Sequence, residues 1–282
     1  NLECTFTGSA VNTITFQKLG AGANPVVNRI GTSASTDYVI KLTGVDYYTF
    51  NGIDFGQTGT SSTDWVDYGI WITNSSATEG AKNDTFKNGT VSLSNTNTSA
   101  KGVYIQSVTT PTSLTGTQSN NRFLNMTVQN SWEGYRITGA TSTYMDDANE
   151  INTESGGSSN ITNLGDGVGT GGLYGVFSTY QTNHKIQNTT ISGLNVGGTT
   201  AMYAITVQTS ASNSAVISDN EIYNMNGGGT LYGIYFSSAD TADIYNNEIY
   251  GLTTNGASSA VRGIYLTATG LNAKVYGNII YN

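Results

Sequence analysis

Short runs along this chain place apolar residues at every second position, and the runs recur. One run reads glycine, apolar, variable, apolar. It appears as Gly69-Ile70-Trp71-Ile72, Gly102-Val103-Tyr104-Ile105, Gly134-Tyr135-Arg136-Ile137, Gly175-Val176-Phe177-Ser178, Ala204-Ile205-Thr206-Val207, Gly233-Ile234-Tyr235-Phe236 and Gly263-Ile264-Tyr265-Leu266, after an earlier Val39-Ile40-Lys41-Leu42. Successive copies lie 30, 33, 32, 41, 29, 29 and 30 residues apart. A two-residue period turns one face of a strand toward a core. Its return after every thirty or so residues predicts a solenoid.

A second pattern interleaves with the first: Phe50 to Phe55, Phe86 to Val91, Phe123 to Val128, Ile186 to Ile191, Ile217 to Ile222, Ile244 to Ile249 and Val275 to Ile280, with a degenerate copy ending at Ile161. Its third position reads Gly52, Asn88, Asn125, Ser158, Asn188, Asp219, Asn246, Gly277. Gly, Asn and Asp tolerate left-handed backbone, so this column predicts a sharp bend between two strands of each coil. Stacked Asn amides there can hydrogen-bond from coil to coil. The fold expected is all-β: a single-stranded right-handed parallel β-helix of about eight coils of ~30 residues. It forms one domain over residues 1–282. At ~4.8 Å per strand the rod is about 40 Å long. The repeat breaks off at Phe6–Phe16 and at Asn278–Asn282. A bare coil end is an open strand edge, so the chain is expected to be part of a longer exported protein.

Composition agrees with this reading. Charged residues are 11%, yet there are 18 Tyr, 8 Phe and 3 Trp, and that aromatic content separates the chain from disordered ones. The net charge of −8 and scattered Lys and Arg argue against nucleic acid and anionic membrane as partners. No apolar run is long enough for membrane insertion as a helix. Cys4 is the only cysteine, so no internal disulfide is expected.

The segments YVIKLTGVDYYTFNGIDF (Tyr38 to Phe55) and NNEIYGL (Asn246 to Leu252) resemble right-handed parallel β-helix proteins. They are most similar to repetitive extracellular proteins of Bacteroidota exported by type IX secretion. The resemblance implies an extracellular or cell-surface location, the secretion machinery as a partner, and O-glycans on Ser or Thr after Asp. Thr241 in Asp240-Thr241-Ala242 fits that pattern, and Thr85 in Asp84-Thr85-Phe86 fits it less well. The resemblance speaks to fold more than to activity, because such coils serve polysaccharide lyases, glycoside hydrolases, tailspikes and adhesins.

Candidate chemistry is sparse. The outward column Lys41, Trp71, Tyr104, Arg136, Phe177, Thr206, Tyr235, Tyr265 makes Trp71, Tyr104, Phe177, Tyr235 and Tyr265 candidate carbohydrate-binding residues, because apolar sugar faces stack on rings. The adjoining glycines are expected to leave a trough beside this ridge. The same aromatics could instead serve packing between coils. Asp146, Asp147, Glu150 and Glu154 form the one dense acidic stretch. Asp146, Asp147, Glu150, Arg136 and the sole histidine, His184, are weak catalytic candidates. A lyase would need carboxylates and a base together, and a hydrolase a carboxylate pair. A solvated acidic loop is the plainer alternative. Glu221 and Glu248 fall in equivalent places of adjacent coils, where like charges repel unless a cation intervenes. No cofactor is called for, and Ca²⁺ is the one cation these carboxylates could take.

Two functions follow as expectations. The first is an extracellular structural or adhesive module that takes a polysaccharide or cell-surface glycan as partner. The second is a polysaccharide lyase or glycoside hydrolase acting on the groove. The enzyme reading requires neighbouring carboxylates to converge with Arg136 or His184.

Overall fold

A computed structural model describes residues 2–32, 36–152, 157–209, 214–238, 241–268 and 271–282. The described chain is all-β apart from one 3₁₀ turn at Leu114–Gly116. Three parallel nine-stranded sheets run along one axis, and each coil contributes one strand to each sheet. The first sheet runs from Leu2–Cys4 through Tyr38–Thr43, Tyr68–Thr73, Lys101–Gln106, Glu133–Thr138, Leu173–Thr179, Met202–Thr209 and Leu231–Ser238 to Val261–Leu266. The second runs from Ile14–Gln17 to Asn272–Tyr276, and the third from Val26–Arg29 to Ile279–Ile280. Nine rungs are therefore joined by eight turns of a parallel β-solenoid. The extra first rung comes from residues 2–29, where the repeat is too weak to be read from sequence.

Both repeating patterns are strand ladders. Ile40, Ile70, Val103, Tyr135, Val176, Ile205, Ile234 and Ile264 pair in turn in the first sheet. The closing apolar residues from Phe55 to Ile280 pair in the third. The openers of the second pattern are the inward column of the second sheet. There Phe16, Phe50, Phe86 and Phe123 stack with centroids 5.1, 4.8 and 5.7 Å apart. Burying such rings removes large apolar areas from water, on the order of 1.5–3 kcal/mol per side chain.

The predicted bend sits between the second and third sheets. Gly52, Asn88, Asn125, Asn188, Asp219, Asn246 and Gly277 all have positive φ. Asn125 Nδ2 donates to Asn88 Oδ1 at 3.1 Å, and Asn246 Nδ2 to Asp219 Oδ1 at 3.2 Å. Ser158 does not join this column. Rung five takes a longer connection from Ile151 to Ile161, and Asn152 accepts from Asn188 instead, at 3.1 Å. One residue further on, Asn220, Asn247 and Asn278 point inward. Each donates Nδ2 to the carbonyl of Ile186, Ile217 or Ile244 at 2.9 Å. These bonds satisfy carbonyls that the bend would otherwise bury unpaired.

The glycine column differs from expectation. Gly69, Gly102, Gly134, Gly175 and Gly233 are buried, and they face the third sheet. A Cβ on Gly102 would lie 2.1 Å from Val128 Cγ1, on Gly69 2.3 Å from Val91 Cγ1, and on Gly134 2.7 Å from Ile161 Cγ2. Two consecutive residues of each first-sheet strand thus turn inward. The strict alternation that would have made a glycine trough outside is broken at this point, and the next outward position is the residue before the glycine.

Candidate functional site

The outer face of the first sheet carries two adjacent columns. The expected one is in register: Lys41, Trp71, Tyr104, Arg136, Phe177, Thr206, Tyr235 and Tyr265 pair rung by rung. Beside it stand Tyr38, Tyr68, Lys101 and Glu133 in the lower rungs, and Tyr174, Tyr203, Tyr232 and Arg262 in the upper ones. The rings form offset stacks along the axis. Tyr174, Tyr203 and Tyr232 are 5.2 and 4.7 Å apart with planes within 7° and 5°. Trp71 meets Tyr68 edge-on at 5.2 Å. Cations cap exposed ring faces: Lys41 Nζ lies 4.5 Å above Trp71, Arg136 4.3 Å above Phe177, and Arg262 3.9 Å above Tyr265. Cation–π contacts of this kind are worth ~0.5–2 kcal/mol.

The layer closes tightly enough that Thr206 beneath it is fully buried. Burial pushes the phenols of Tyr104 and Tyr203 up to about 12, so they stay protonated donors. Burial pulls the Lys101 ammonium below its ordinary value. Arg136 is held above its usual pKa: burial opposes this, but two bonds to Glu133 at 2.6 and 2.8 Å outweigh it.

The catalytic candidates do not converge. Asp146 is wholly buried in a short strand that pairs with Gln181–Thr182. It accepts from Gln118 N at 2.9 Å and Gln181 Nε2 at 3.2 Å. Burial pushes its carboxyl up to about 7. His184 also lies in the core, with Nδ1 2.7 Å from Asn149 O and Nε2 without a partner. Burial lowers it to about 4, so it is neutral at physiological pH. Glu150 sits outside on the second sheet, paired with Arg122 Nε at 3.1 Å. Burial favours its neutral form, but bonds from Asn152 and Arg122 prevail and lower its pKa. Arg136 is on the first sheet. Asp147 alone faces an opening, and its Oδ1 accepts from Asn183 Nδ2 at 2.8 Å. Glu154 lies outside the described residues. Among the described residues the acidic stretch is divided: Asp146 lies inside, Asp147 at the corner before the second sheet, and Glu150 on the outer face of that sheet.

Glu221 and Glu248 are register neighbours on the third sheet. Tyrosine hydroxyls approach them: Tyr250 donates to Glu221 at 2.7 Å and Tyr281 to Glu248 at 2.8 Å. Tyr223, Tyr250 and Tyr281 stack at 5.1 Å spacings. Among the described residues no group of three His, Cys, Asp or Glu is placed to hold a metal ion, and no helix is long and apolar enough to cross a membrane. Thr241 is exposed at a strand start, while its Asp240 lies outside the described residues. Thr85 is half-buried within a strand, and Asp84 before it is fully inside.

No family model matches the chain, and no curated protein does. Solved structures do. A lacto-N-biosidase of glycoside hydrolase family GH136 from Eubacterium ramulus aligns with TM-score 0.55 at 12% identity, over 99% of this chain and 59% of that one. An alginate lyase from Paenibacillus sp. aligns with TM-score 0.46 at 14% identity, over 99% of this chain and 87% of that one. A surface adhesin of Streptococcus pneumoniae aligns with TM-score 0.46 at 14% identity, over 89% and 58%. What is shared is the fold. The chain spans about three-fifths of the length of the biosidase.

Sequence reasoning missed the second outward column. Its signal was a residue recurring just before the glycine, as in Tyr68-Gly69, Tyr174-Gly175, Tyr232-Gly233 and Arg262-Gly263. Reading the glycine as outward hid it. Sequence reasoning also missed Asn120 and Asn183 as neighbours of Asp147; the signal was their constant place three residues before the openers Phe123 and Ile186, the place Ala148 holds before Ile151.

Proposed function

We propose that this chain is a non-catalytic structural and adhesive module that works outside the cell and holds a polysaccharide or cell-surface glycan along the outer face of its first sheet. One observation carries the reading. The hydroxyls of Tyr68, Tyr174, Tyr203, Tyr232, Tyr235 and Tyr265 lie on half-buried side chains of this layer, and none has a hydrogen-bond partner among the described residues. Their rings are locked by stacking, so a hydroxyl-rich polymer meets donors already in place and little side-chain entropy is lost on binding. The dispersal of Asp146, Glu150, Arg136 and His184 over the interior and two walls supports binding without turnover. Export by the type IX route, which the sequence resemblance implies, belongs to the same proposal.

The test is retention of the protein on immobilised neutral and uronic-acid polysaccharides. Tyr235→Phe combined with Tyr265→Phe removes two hydroxyls and keeps the stack. It should weaken the retained glycan about tenfold, since each hydrogen bond contributes ~0.5–1.5 kcal/mol, with the melting temperature unchanged. Unaltered retention would refute the binding face. Release of reducing ends or unsaturated products, abolished by Asp147→Ala, would establish the enzyme reading instead.

A further inference from the structure

We infer that a cleft at the corner between the first and second sheets, away from the aromatic face, is a second binding site, for a neutral saccharide unit. The cleft measures about 420 Å³, within the ~300–1,000 Å³ of small-molecule sites. It is formed where two long connections lie side by side, residues 107–121 of rung four and 139–149 of rung five. Leu114 and Met145 supply apolar surface, Asp147, Asn120 and Asn183 supply carboxylate and amides, and Lys82 stands at the edge.

The walls are built before any ligand arrives. Asn74 ties the longer loop down: its Nδ2 donates to Thr109 O at 2.6 Å, and its Oδ1 accepts from Val108 N and Thr109 N at 2.9 and 3.2 Å. Asn74 is itself fully buried. Thr112 N donates to Ala77 O at 2.9 Å, and Ser107 Oγ to Gln118 Oε1 at 2.9 Å. The floor is fixed by Asp147 N donating to Ser119 Oγ at 2.9 Å and Asn120 N to Asp147 O at 2.7 Å. A rigid site loses little entropy on binding.

The chemistry selects the ligand. Asp147 spends Oδ1 on Asn183, and its Oδ2 has no donor among the described residues. The side-chain amide of Asn120 is likewise unengaged there. The Lys82 ammonium is held by the carbonyl of Thr115. One carboxylate and one ammonium balance, so the lining favours neither an anion nor a cation. An acceptor and an amide that both donates and accepts suit vicinal hydroxyls. Leu114 is 67% exposed on an ordered loop, an apolar surface placed for the carbon–hydrogen face of a pyranose.

Saturation-transfer NMR and calorimetry on the intact chain test this with maltose, cellobiose and lactose as neutral probes and digalacturonate as the acidic one. At least one neutral disaccharide should bind, and digalacturonate should not. Asp147→Asn removes the charge and keeps the shape, and should weaken binding about tenfold, as for a charge-assisted hydrogen bond. Leu114→Ser, which lies outside the core, should weaken it severalfold. Three outcomes would overturn the inference: no neutral disaccharide bound at tens of millimolar, equal binding by both variants, or preference for the uronate. Polysaccharide retention by the tyrosine face is read separately, so loss of either site leaves the other measurable.

Discussion

At the scale of single residues, the buried polar groups decide how the protein responds to acid. Asp146 has its pKa raised to about 7 by burial against an ordinary 3.8. Between those values the folded state binds more protons than the unfolded one, so this group makes stability fall as pH rises from about 4 to 7. His184 is lowered by burial from 6.5 to about 4. Here the unfolded state binds more protons in the interval, and stability rises with pH from about 4 to 6.5. The two opposing groups flatten the profile over their shared range. Asp146→Asn should remove the falling limb and leave stability rising from pH 4 to 6.5 in urea titrations. A profile as flat as that of the parent would contradict these assignments. The glycine column is the other residue-scale determinant. Gly102→Ala pushes a methyl into Val128 and toward Gly134 O, and should cost ~1–3 kcal/mol as overpacking, read as a lower denaturant midpoint. Ala204 occupies the same column in rung seven and is fully buried, so the cost depends on how far each third-sheet partner can retreat.

At the scale of elements, the bend between the second and third sheets was legible and the corner between the first and second was not. In seven of the nine rungs the bend repeats a fixed five-residue interval, and left-handed residues fill it. That constraint writes Asn88, Asn125, Asn246 and their equivalents into the sequence at a constant offset. The other corner also uses positive φ, at Tyr47, Asn83, Asn120, Ala148 and Asn183, each three residues before the inward opener of its second-sheet strand, but residue types as different as Tyr47 and Ala148 fill that place and the connections before it vary in length, so the column does not stand out in the sequence. The candidate ridge was legible as one column for a related reason. Alternation identifies outward residues until a glycine lets two neighbours turn inward, and past that point Tyr68, Tyr203 and Tyr232 are out of phase. The inward asparagines make a testable element-scale claim. Asn247 Oδ1 accepts from Asn220 N and Nδ2, at 3.2 and 2.9 Å, and its Nδ2 donates to Ile217 O. Asn247→Ala orphans buried groups of the preceding rung, Ile217 O and Asn220 N, and should cost ~1–3 kcal/mol for each. Asn247→Asp should be costlier, because it sets a buried carboxylate against the carbonyl oxygens of Ile217 and Tyr245. Equal stability of the three proteins would show the ladder to be dispensable.

At the scale of the whole molecule, every rung leans only on the rungs next to it. Stability is then a sum of rung and interface terms, and amide hydrogen exchange should be slowest in rungs four to six and fastest in rungs one and nine, which each pair on one side only. Uniform protection along the axis would mean longer-range cooperativity than this architecture supplies. The corner between the first and second sheets has a further consequence. Its described connections range from four residues, 44–47, to fifteen, 107–121, yet the strands on either side stay in register. Lengthening this loop moves material sideways and leaves the stacking direction undisturbed. New recognition surfaces can therefore be acquired one coil at a time, by insertion alone, and a segment transplanted into this position of a neighbouring coil should be carried as cargo without re-threading the scaffold.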